Sequence, residues 1–452
     1  MSGAVADRAD PSLAYLDQLA GHLGAEVRTL TTDLALDPAR AEEVVRLAGA
    51  VPAATDFDTA LATYRRARNL LATMLDDGYA LAAAYRDMDE FWADAARQET
   101  GDSLATYWDS YEHGLRRRLE GTLAATYGCE QAVLVNTGMS AIDVALRSLR
   151  LPPGSRLLVH ERAYFETSDY LQEVLAPTGV AAVPVDLTDA ATITASVATH
   201  QPDAILLETV LNGPACDIPA LSTALSCGIP LVLDISTVGH GVPEGLRGST
   251  TAPLIAVESG AKYLTRQASS GVLYGWSEAI TAARLTARRT GQQLTGRALH
   301  RLRVGEILTS ARRISLHAER TAQFVEVLGS LPALTVTSAA SVPAAGDALR
   351  EQLGKSAPGS LCYVRLPVAE RDADQAHREC VSRWQELVGG RRIRAGFGWT
   401  ATTARSYGRD ALNTAAGQAF VRVSVGIEPA PVVRELATAF VRACRDVLER
   451  TR

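Results

Sequence analysis

Leu254-Ile-Ala-Val-Glu-Ser-Gly-Ala-Lys262-Tyr, followed by Leu264-Thr-Arg-Gln-Ala-Ser-Ser-Gly-Val-Leu-Tyr-Gly275, is a long run of small and apolar residues that contains one lysine. An ammonium packed among apolar neighbours loses hydration, which lowers its pKa and favours Schiff-base chemistry. The same pattern also fits a lysine at a strand end whose ammonium reaches solvent. Motifs elsewhere in the sequence are needed to distinguish these two interpretations of Lys262.

Composition excludes several classes of partner. The chain has 452 residues, enough for two or three packed units, and its net charge is −6 without a basic block. We therefore expect neither nucleic acid nor an anionic membrane as a partner. The apolar runs are too short to span a bilayer, and the N-terminus lacks the pattern of a signal peptide. Six scattered cysteines without a CxxC pair predict reduced thiols, a cytoplasmic location and no metal site.

Residues 1–105 are predicted to form a helical N-terminal extension. Apolar residues recur at helical spacing in four segments, near 11–23, 38–50, 57–76 and 78–97. No catalytic cluster occurs there, so we interpret this region as a packing or dimerisation extension.

Residues 106–297 are predicted to form a large α/β domain, because short apolar runs alternate with helical segments. Such runs are typical of a mostly parallel sheet covered on both faces, which binds ligands at the carboxyl ends of its strands. The predicted strands are 132–136, 156–160, 180–185, 204–208, 230–234, 254–257 and 271–274.

Residues 298–452 are predicted to form a connector helix followed by a smaller α+β domain. The connector is a single amphipathic helix over about 298–329. Residues 339–359 are rich in Ala, Gly, Ser and Pro and are interpreted as a surface loop. The smaller domain has predicted strands at 334–337, 362–366, 392–397 and 419–425 and helices at 373–388 and 429–450.

A turn that joins a strand to a helix is a candidate phosphate site. It reads Val135-Asn-Thr137-Gly138-Met139-Ser140. Gly138 permits close approach of the backbone, the helix N-terminus offers N–H groups, and the hydroxyls of Thr137 and Ser140 assist. Many turns of this kind bind nothing, so the turn alone is weak evidence.

Three further polar residues follow predicted strands. Tyr164 could stack on a planar cofactor or pack in the core, and Asn212 could bind a phenolate-like oxygen or simply form an Asn-Gly turn. Asp234, two residues before Ser236, ends an apolar strand and needs a partner there. A protonated pyridine nitrogen would suit it, and capping of the next turn is the structural alternative.

The order of these motifs resembles the Cys/Met-metabolism family of pyridoxal-phosphate (PLP) enzymes, which includes cystathionine γ-synthase, cystathionine lyase and methionine γ-lyase. The resemblance covers roughly residues 105–450 and ends with Arg422-Val-Ser-Val-Gly-Ile-Glu428. It implies the fold type I architecture of aspartate aminotransferase, with a mostly parallel α/β large domain and a smaller α+β C-terminal domain. It also implies PLP as cofactor, an amino acid as substrate, and a homodimer or homotetramer with the site at the subunit interface.

The resemblance implies specific roles. Lys262 carries the cofactor as a Schiff base and moves protons, and Tyr164 stacks on the ring and serves as an acid or base. The cofactor-binding set is Thr137, Gly138, Met139, Tyr164, Asn212, Asp234, Ser236, Ser259 and Lys262. The substrate side has Arg422, which holds the carboxylate, together with Trp399 and Tyr111.

The sequence departs from the family at the mouth of the site. Trp108-Asp-Ser110 stands where Tyr-x-Arg is usual, so the phosphate-binding arginine is missing there. Tyr107, Tyr111 or a residue of Arg116–Arg118 are candidates to replace it. Ala261 replaces a common Thr, and Arg266-Gln267 replaces Gly-His. These differences predict an unusual substrate.

The predicted activity is γ-elimination or γ-replacement on an amino acid with a γ leaving group, in a specialised pathway. Alternatives are another fold type I reaction, such as β-elimination or transamination, and a non-catalytic protein that keeps the fold. Lys262, Asp234 and Arg422 are all present, which argues against the non-catalytic alternative.

Overall fold

The computed structural model of the chain describes residues 10–34, 36–81, 88–90, 93, 114–211, 213–214, 216–239, 252–264, 270–276, 278–338, 359–390, 400–408 and 418–451. Three parts can be distinguished within these residues: a group of N-terminal helices, a large mixed α/β part and a smaller α+β part.

A seven-stranded sheet forms the centre of the large part. Its strands are β1 Gln131–Val135, β2 Arg156–His160, β3 Ala181–Val185, β4 Ala204–Glu208, β5 Leu231–Asp234, β6 Leu254–Ser259 and β7 Gly271–Gly275. The spatial order is β1-β7-β6-β5-β4-β2-β3, and only β7 runs antiparallel to its neighbours. The predicted, mostly parallel sheet is thus confirmed. Because β7 is antiparallel to both β1 and β6, β1 runs in the same direction as β6.

Apolar strand sequences become buried on both faces of this sheet. In β4, Ile205 and Leu207 belong to the core on one face, while Leu206 belongs to the core on the other. Continuous apolar runs are stable only in a sheet that is covered on both sides. The helices of this part are α4 Gly114–Tyr127, α5 Gly138–Ser148, α6 Phe165–Tyr170, α7 Ala190–His200, α8 Leu221–Ser226, α9 Gly260–Tyr263 and α10 Glu278–Arg289, with a π turn Leu171–Leu175 and a 3₁₀ turn Ala176–Thr178.

The N-terminal helices build a core of their own. They are α1 Pro11–Leu34, α2 Pro38–Ala50 and α3 Phe57–Leu81, with a 3₁₀ turn Val51–Ala53. Asp37 caps α2 by accepting from the amides of Ala39 and Arg40. Leu316 and Ile427 from the rest of the chain join this core. The fourth helix predicted here, 78–97, falls mostly outside the described residues.

The connector is not the single helix predicted over 298–329. It consists of α11 Gly296–Leu299, α12 Val304–Leu308 and α13 Ser310–Leu328. Arg303 adopts an extended conformation, φ −122° and ψ 129°, and its buried guanidinium lies 3.2 Å from the carboxylate of Glu26 in α1. The break between α11 and α12 therefore coincides with a contact to α1.

The smaller part has a four-stranded antiparallel sheet and two long helices. The strands are β8 Thr335–Thr337, β9 Leu361–Arg365, β10 Thr403–Tyr407 and β11 Phe420–Ser424, and the helices are α14 Ala373–Leu387 and α15 Ala430–Arg450, with a 3₁₀ turn Glu370–Asp372. Their order in the sheet is β10-β11-β9-β8. Strand β10 was not predicted, and the predicted strand at 392–397 lies outside the described residues. Across the described chain, no helix is both long enough and apolar enough to cross a membrane.

Candidate active site

A pocket lies where strands of the large sheet end. It is lined by Thr137, Gly138, Met139, Ile142, Tyr164, Glu166, Glu208, Asp234, Ser236, Thr237, Ser259 and Lys262. The structure therefore brings together the predicted cofactor residues except Asn212, which lies outside the described residues. The pocket occupies the carboxyl edge of the sheet, as the sequence predicted for this architecture.

Lys262 stands in α9, the single turn of helix that follows β6. Burial lowers the pKa of Lys262 from its ordinary 10.5 to about 8, and the positive charge of Arg422 acts in the same direction. Glu166 and Asp234 oppose this shift because their negative charges favour the ammonium. An amine with a pKa near neutrality is available as a nucleophile and as a proton acceptor.

Asp234 ends β5, directly beside β6 in the sheet register. Its Oδ1 accepts a hydrogen bond from the amide of Ser236 at 2.8 Å. Burial raises the pKa of Asp234, although the hydrogen bonds from Ser236 and the charge of Lys262 lower it in part. A half-buried carboxylate that has lost hydration in this way is stabilised by a cationic group placed against it.

The N-terminus of α5 packs tightly against the end of β6. A Cβ atom at Gly138 would lie 2.7 Å from the Cβ of Ser259, and one at Gly271 would lie 1.9 Å from the carbonyl oxygen of Thr137. Only glycine is compatible with this approach at either position. The Oγ1 of Thr137 accepts from the amide of Ser140 at 2.9 Å and caps the helix. Thr137, Gly138, Met139 and Ser259 line the pocket, so the N-terminus of α5 and two hydroxyls lie at it, an arrangement suited to an anion.

The amide of Ser259 makes a hydrogen bond that connects two segments of the pocket wall. It donates to the Oγ of Ser236 at 2.8 Å, so the last residue of β6 is joined by a hydrogen bond to the segment that follows β5. Ser236 lies two residues after Asp234 and Ser259 three before Lys262. The bond therefore holds the carboxylate and the amine in a defined relation.

Tyr164 also lines the pocket and lies at the start of α6. Its amide donates to the Oε1 of Glu208 at 2.6 Å, and its ring packs edge-on against Phe165. Burial raises the pKa of the Tyr164 phenol, and the carboxylate of Glu166 raises it further. At neutral pH the phenol is therefore protonated.

Glu166 and Glu208 also line the pocket, although the sequence predicts no role for either. Glu208 ends an apolar strand as Asp234 does, so the same signal could have identified it. Glu166 follows Tyr164 by two positions in a polar segment, and no pattern in the sequence distinguishes it from a solvated surface carboxylate.

Arg422 belongs to β11 of the smaller sheet and is not one of the described residues that line the pocket. It is buried, and its Cζ lies 5.0 Å from the centre of the Tyr407 ring. Its charge acts on Lys262 and also on Tyr164, whose pKa it lowers in part. The smaller part of the chain thus brings a guanidinium close to the site formed by the large part.

Of the remaining predicted residues, Tyr111 and Trp399 lie outside the described residues, as do Tyr107 and Arg266-Gln267. Arg116 is an unsuitable replacement for the missing phosphate arginine. It is buried and donates to the carbonyl oxygen of Leu294 at 2.6 Å and to Gln293 at 3.3 Å. Its guanidinium therefore has a structural use within this chain, whereas Arg117 and Arg118 are exposed.

The described residues fit the chemistry of PLP. The N-terminus of α5 with Thr137 and Ser259 suits a phosphate, because amide and hydroxyl donors converge there. The carboxylate of Asp234 suits a protonated pyridine nitrogen. The amine of Lys262 suits the aldehyde.

A model of the family described as "Cys/Met metabolism PLP-dependent enzyme" matches residues 91–440. Among curated proteins, the chain is 29% identical over 208 residues to the uncharacterized protein YhfS of Escherichia coli (strain K12), which covers 44% of this chain and 54% of that protein. It is 34% identical over 109 residues to dTDP-3-amino-3,4,6-trideoxy-alpha-D-glucose transaminase of Streptomyces venezuelae, which covers 24% of this chain and 26% of the transaminase. The chain thus spans about half the length of the first relative and about a quarter of the second.

Solved structures support the fold. Cystathionine gamma synthase from Xanthomonas oryzae pv. oryzae, in complex with aminoacrylate and cysteine, is similar with a TM-score of 0.64 and 20% identity over 75% of this chain and 88% of that one. The protein metB from Corynebacterium glutamicum is similar with a TM-score of 0.62 and 19% identity over 74% of this chain and 87% of that one. At these identities the comparison is evidence for the architecture, which agrees with the predicted fold type I.

Proposed function

Because the chain belongs to the Cys/Met-metabolism family of PLP-dependent enzymes, we propose that it eliminates or replaces the γ substituent of an amino acid. The observation that carries this proposal is the grouping of Lys262, Asp234 and Tyr164 around one pocket. Such chemistry needs a base that reaches two adjacent carbons, a group that keeps the pyridine nitrogen protonated, and a proton donor near the leaving group. These three residues supply the corresponding functional groups.

Lys262 is the proposed base. When bound, PLP supplies an electron sink for negative charge that develops at Cα of the amino acid. Nζ of Lys262 takes the proton from Cα, gives that proton up to the conjugated cofactor, and, neutral again, takes a second proton from Cβ so that the γ substituent can leave. Its lowered pKa favours both steps, because a base works best when its pKa lies near the working pH.

Tyr164 is the proposed donor to the leaving group. Its phenol is protonated at neutral pH because burial raises its pKa. The bond from Cγ to the leaving atom breaks, the electron pair goes to that atom, and the proton of Tyr164 Oη follows it. The negative charge of Glu166 raises the pKa of this phenol and the positive charge of Arg422 lowers it. The two charges together therefore influence how readily the phenol gives up its proton.

Arg422 is proposed to bind the α-carboxylate of the amino acid. Its planar guanidinium is suited to a carboxylate, and its charge reaches Lys262. We also propose a specialised pathway for the enzyme, because the sequence departs from the family at Ala261 and Trp108. An oligomer with the site at the subunit interface is proposed as well.

Transamination is the second candidate, since a 109-residue stretch is 34% identical to a transaminase. The two reactions differ in what happens at Cγ. Transamination leaves the γ substituent in place and converts a second keto acid into an amino acid, whereas the proposed reaction breaks the bond at Cγ.

A product screen tests the proposal. Purified holoenzyme is incubated with γ-substituted amino acids, with and without an added thiol, and the products are identified by mass spectrometry. Loss of the γ group without thiol indicates elimination, and loss that requires the thiol indicates replacement. Intact γ groups with a new amino acid from an added keto acid would indicate transamination. No loss from any member of the panel, or full turnover by Lys262→Ala, would overturn the proposal.

A further inference from the structure

Glu166 is a charged residue of the pocket that transfers no proton in the proposed chemistry and acts there only through its influence on Tyr164 and Lys262. It lies in the first turn of α6, two residues after Tyr164, and its side chain lines the pocket while remaining exposed to solvent. An exposed carboxylate in the wall of a pocket faces whatever enters it. The carboxylate of Glu166 therefore lies at the pocket, beside the phenol of Tyr164, and not in the core.

The other charged side chains in or near the pocket are already assigned to the cofactor, to the α-carboxylate or to a hydrogen bond within the chain. Asp234 and Lys262 are assigned to the cofactor, and Arg422 is assigned to the α-carboxylate of the amino acid. Glu208 is buried, and its Oε1 accepts from the amide of Tyr164 at 2.6 Å. Within the described lining, Glu166 is thus the charged side chain left to meet the substrate's own side chain.

Two neighbours indicate where the charge of Glu166 acts. Its charge and a hydrogen bond from the Tyr164 phenol to its carboxylate raise the pKa of that phenol, and its charge favours the protonated form of Lys262. Both groups are proposed to act on the side chain of the substrate, at Cγ and at Cβ. The field of Glu166 consequently covers the region through which the γ substituent extends.

We propose that Glu166 selects amino acids whose γ substituent carries a positive charge and rejects those whose γ substituent is anionic. The inference rests on the proposed function, because that function sets the direction of the substrate side chain. Selection has an attractive and a repulsive component: a cation pairs with the carboxylate, and an anion meets a like charge. Since Glu166 is exposed, each component is modest, and cationic and anionic substrates should differ about tenfold.

Three ligands without a γ leaving group test the binding part of the inference. L-lysine, L-norleucine and L-2-aminoadipate are similar in length and carry a cationic, neutral and anionic end. Dissociation constants are measured by calorimetry on the holoenzyme, with wild type, Glu166→Gln and Glu161→Gln. Glu161 is a matched control, because it is an exposed glutamate five residues away that does not line the pocket.

Wild type and Glu161→Gln should bind lysine most tightly and aminoadipate most weakly, about tenfold apart, and the gap should narrow at high salt. In Glu166→Gln the three constants should converge. Equal constants in wild type, an unchanged order in Glu166→Gln, or the same convergence in Glu161→Gln would overturn the inference.

A second series of compounds, which carry a γ leaving group, tests whether the same charge preference applies to turnover. S-(2-aminoethyl)-, S-propyl- and S-(carboxymethyl)-L-homocysteine place a cationic, neutral or anionic arm beyond the sulfur, and kcat/KM is compared across the same variants. Turnover without a charge order dependent on Glu166 would overturn the inference while leaving γ chemistry intact. A charge order in binding without loss of any γ group would instead overturn the proposed function alone.

Discussion

The phenol oxygen of Tyr263 accepts a hydrogen bond from the amide of Ser360 at 3.1 Å, which joins the lysine-bearing turn to the smaller part of the chain. The carbonyl oxygen of Ser360 in turn accepts from the amide of Val425, next to strand β11. Since β11 carries Arg422, the contact links the residue adjacent to Lys262 with the proposed carboxylate site. Tyr263 is thus placed to set the distance between amine and guanidinium.

Tyr263→Phe should remove the hydrogen bond from the Ser360 amide while the aromatic ring stays in place. Gly239 and Gly359 both have positive φ and approach the Tyr263 ring so closely that a Cβ at either would clash with it, so the ring itself is held from both sides. Loss of the acceptor should lower the free energy of unfolding by about 1–2 kcal/mol and raise KM for the amino acid. Denaturant unfolding and steady-state kinetics measure the two effects.

Tyr170→Phe is the control for this prediction. Its hydroxyl donates to Asp143 at 2.6 Å, away from the pocket lining. It should reduce stability and leave KM unchanged. If Tyr263→Phe altered stability alone, as this control does, Tyr263 would have no positioning role.

Lys262 should titrate near pH 8 in the cofactor-free protein. Burial lowers its pKa, so between pH 8 and 10.5 the amine is neutral in the folded chain and protonated in a free peptide. Its reactivity towards an acylating reagent should therefore rise through pH 8, well below the midpoint for a peptide with the sequence around Lys262. Pulse labelling with mass spectrometry measures this directly, because the sequence has only two lysines, Lys262 and Lys355. Equal midpoints in protein and peptide would contradict the prediction.

Arg422→Gln should move that midpoint upwards. The positive charge of Arg422 is the second cause of the lowered pKa, and its loss leaves burial, the larger cause, in place. The midpoint should thus rise without reaching 10.5. KM for the amino acid should increase about tenfold to a hundredfold, as expected when a charged hydrogen bond to the carboxylate is lost.

Arg405→Gln is the matched control for Arg422. The two arginines are paired in the register of β10 and β11, and the Cζ of Arg405 also lies near the Tyr407 ring, at 5.2 Å. Arg405 is exposed, however, whereas Arg422 is buried. Arg405→Gln should leave the midpoint and KM close to wild type. Equal effects of the two variants would argue against a specific carboxylate site at Arg422.

Much of the large sheet could be predicted because its strands are continuous apolar runs. The strand that ends at Asp234 can be predicted from its own residues, because a carboxylate directly after an apolar run indicates the strand end. The turn at Gly138 and the lysine turn could likewise be placed at the same edge, because parallel strands end together. Local sequence and the family resemblance together therefore predicted many of the residues that line the pocket, but not Glu166 or Glu208.

Other features depend on contacts that local sequence does not encode. Strand β10 has the sequence Thr403-Ala-Arg-Ser-Tyr407, which lacks an apolar run and becomes a strand through pairing with β11. The connector breaks at Arg303, whose guanidinium pairs with Glu26, a residue far away in sequence. Glu166 was missed for a related reason, since only the fold shows that its side chain faces the pocket.

The N-terminal helices should depend on a buried ion pair for their attachment. Arg68 in α3 donates from Nε to the Oε1 of Glu306 in α12 at 2.7 Å, and the two side chains are only 3% and 1% exposed. The hydroxyl of Tyr64 donates to the same oxygen at 3.2 Å. Arg68→Ala leaves the Glu306 carboxylate buried without its arginine and should cost about 3–5 kcal/mol of unfolding free energy.

Two further variants separate the charge effect from packing. Arg68→Met combined with Glu306→Leu removes both charges and should restore most of the lost stability, because apolar residues of similar volume can replace a buried pair. Arg46→Ala breaks an exposed pair with Glu43 on the same group of helices and should have a far smaller effect. Urea unfolding of all variants decides the matter: if Arg68→Ala were as mild as Arg46→Ala, the buried pair would not hold the helices in place.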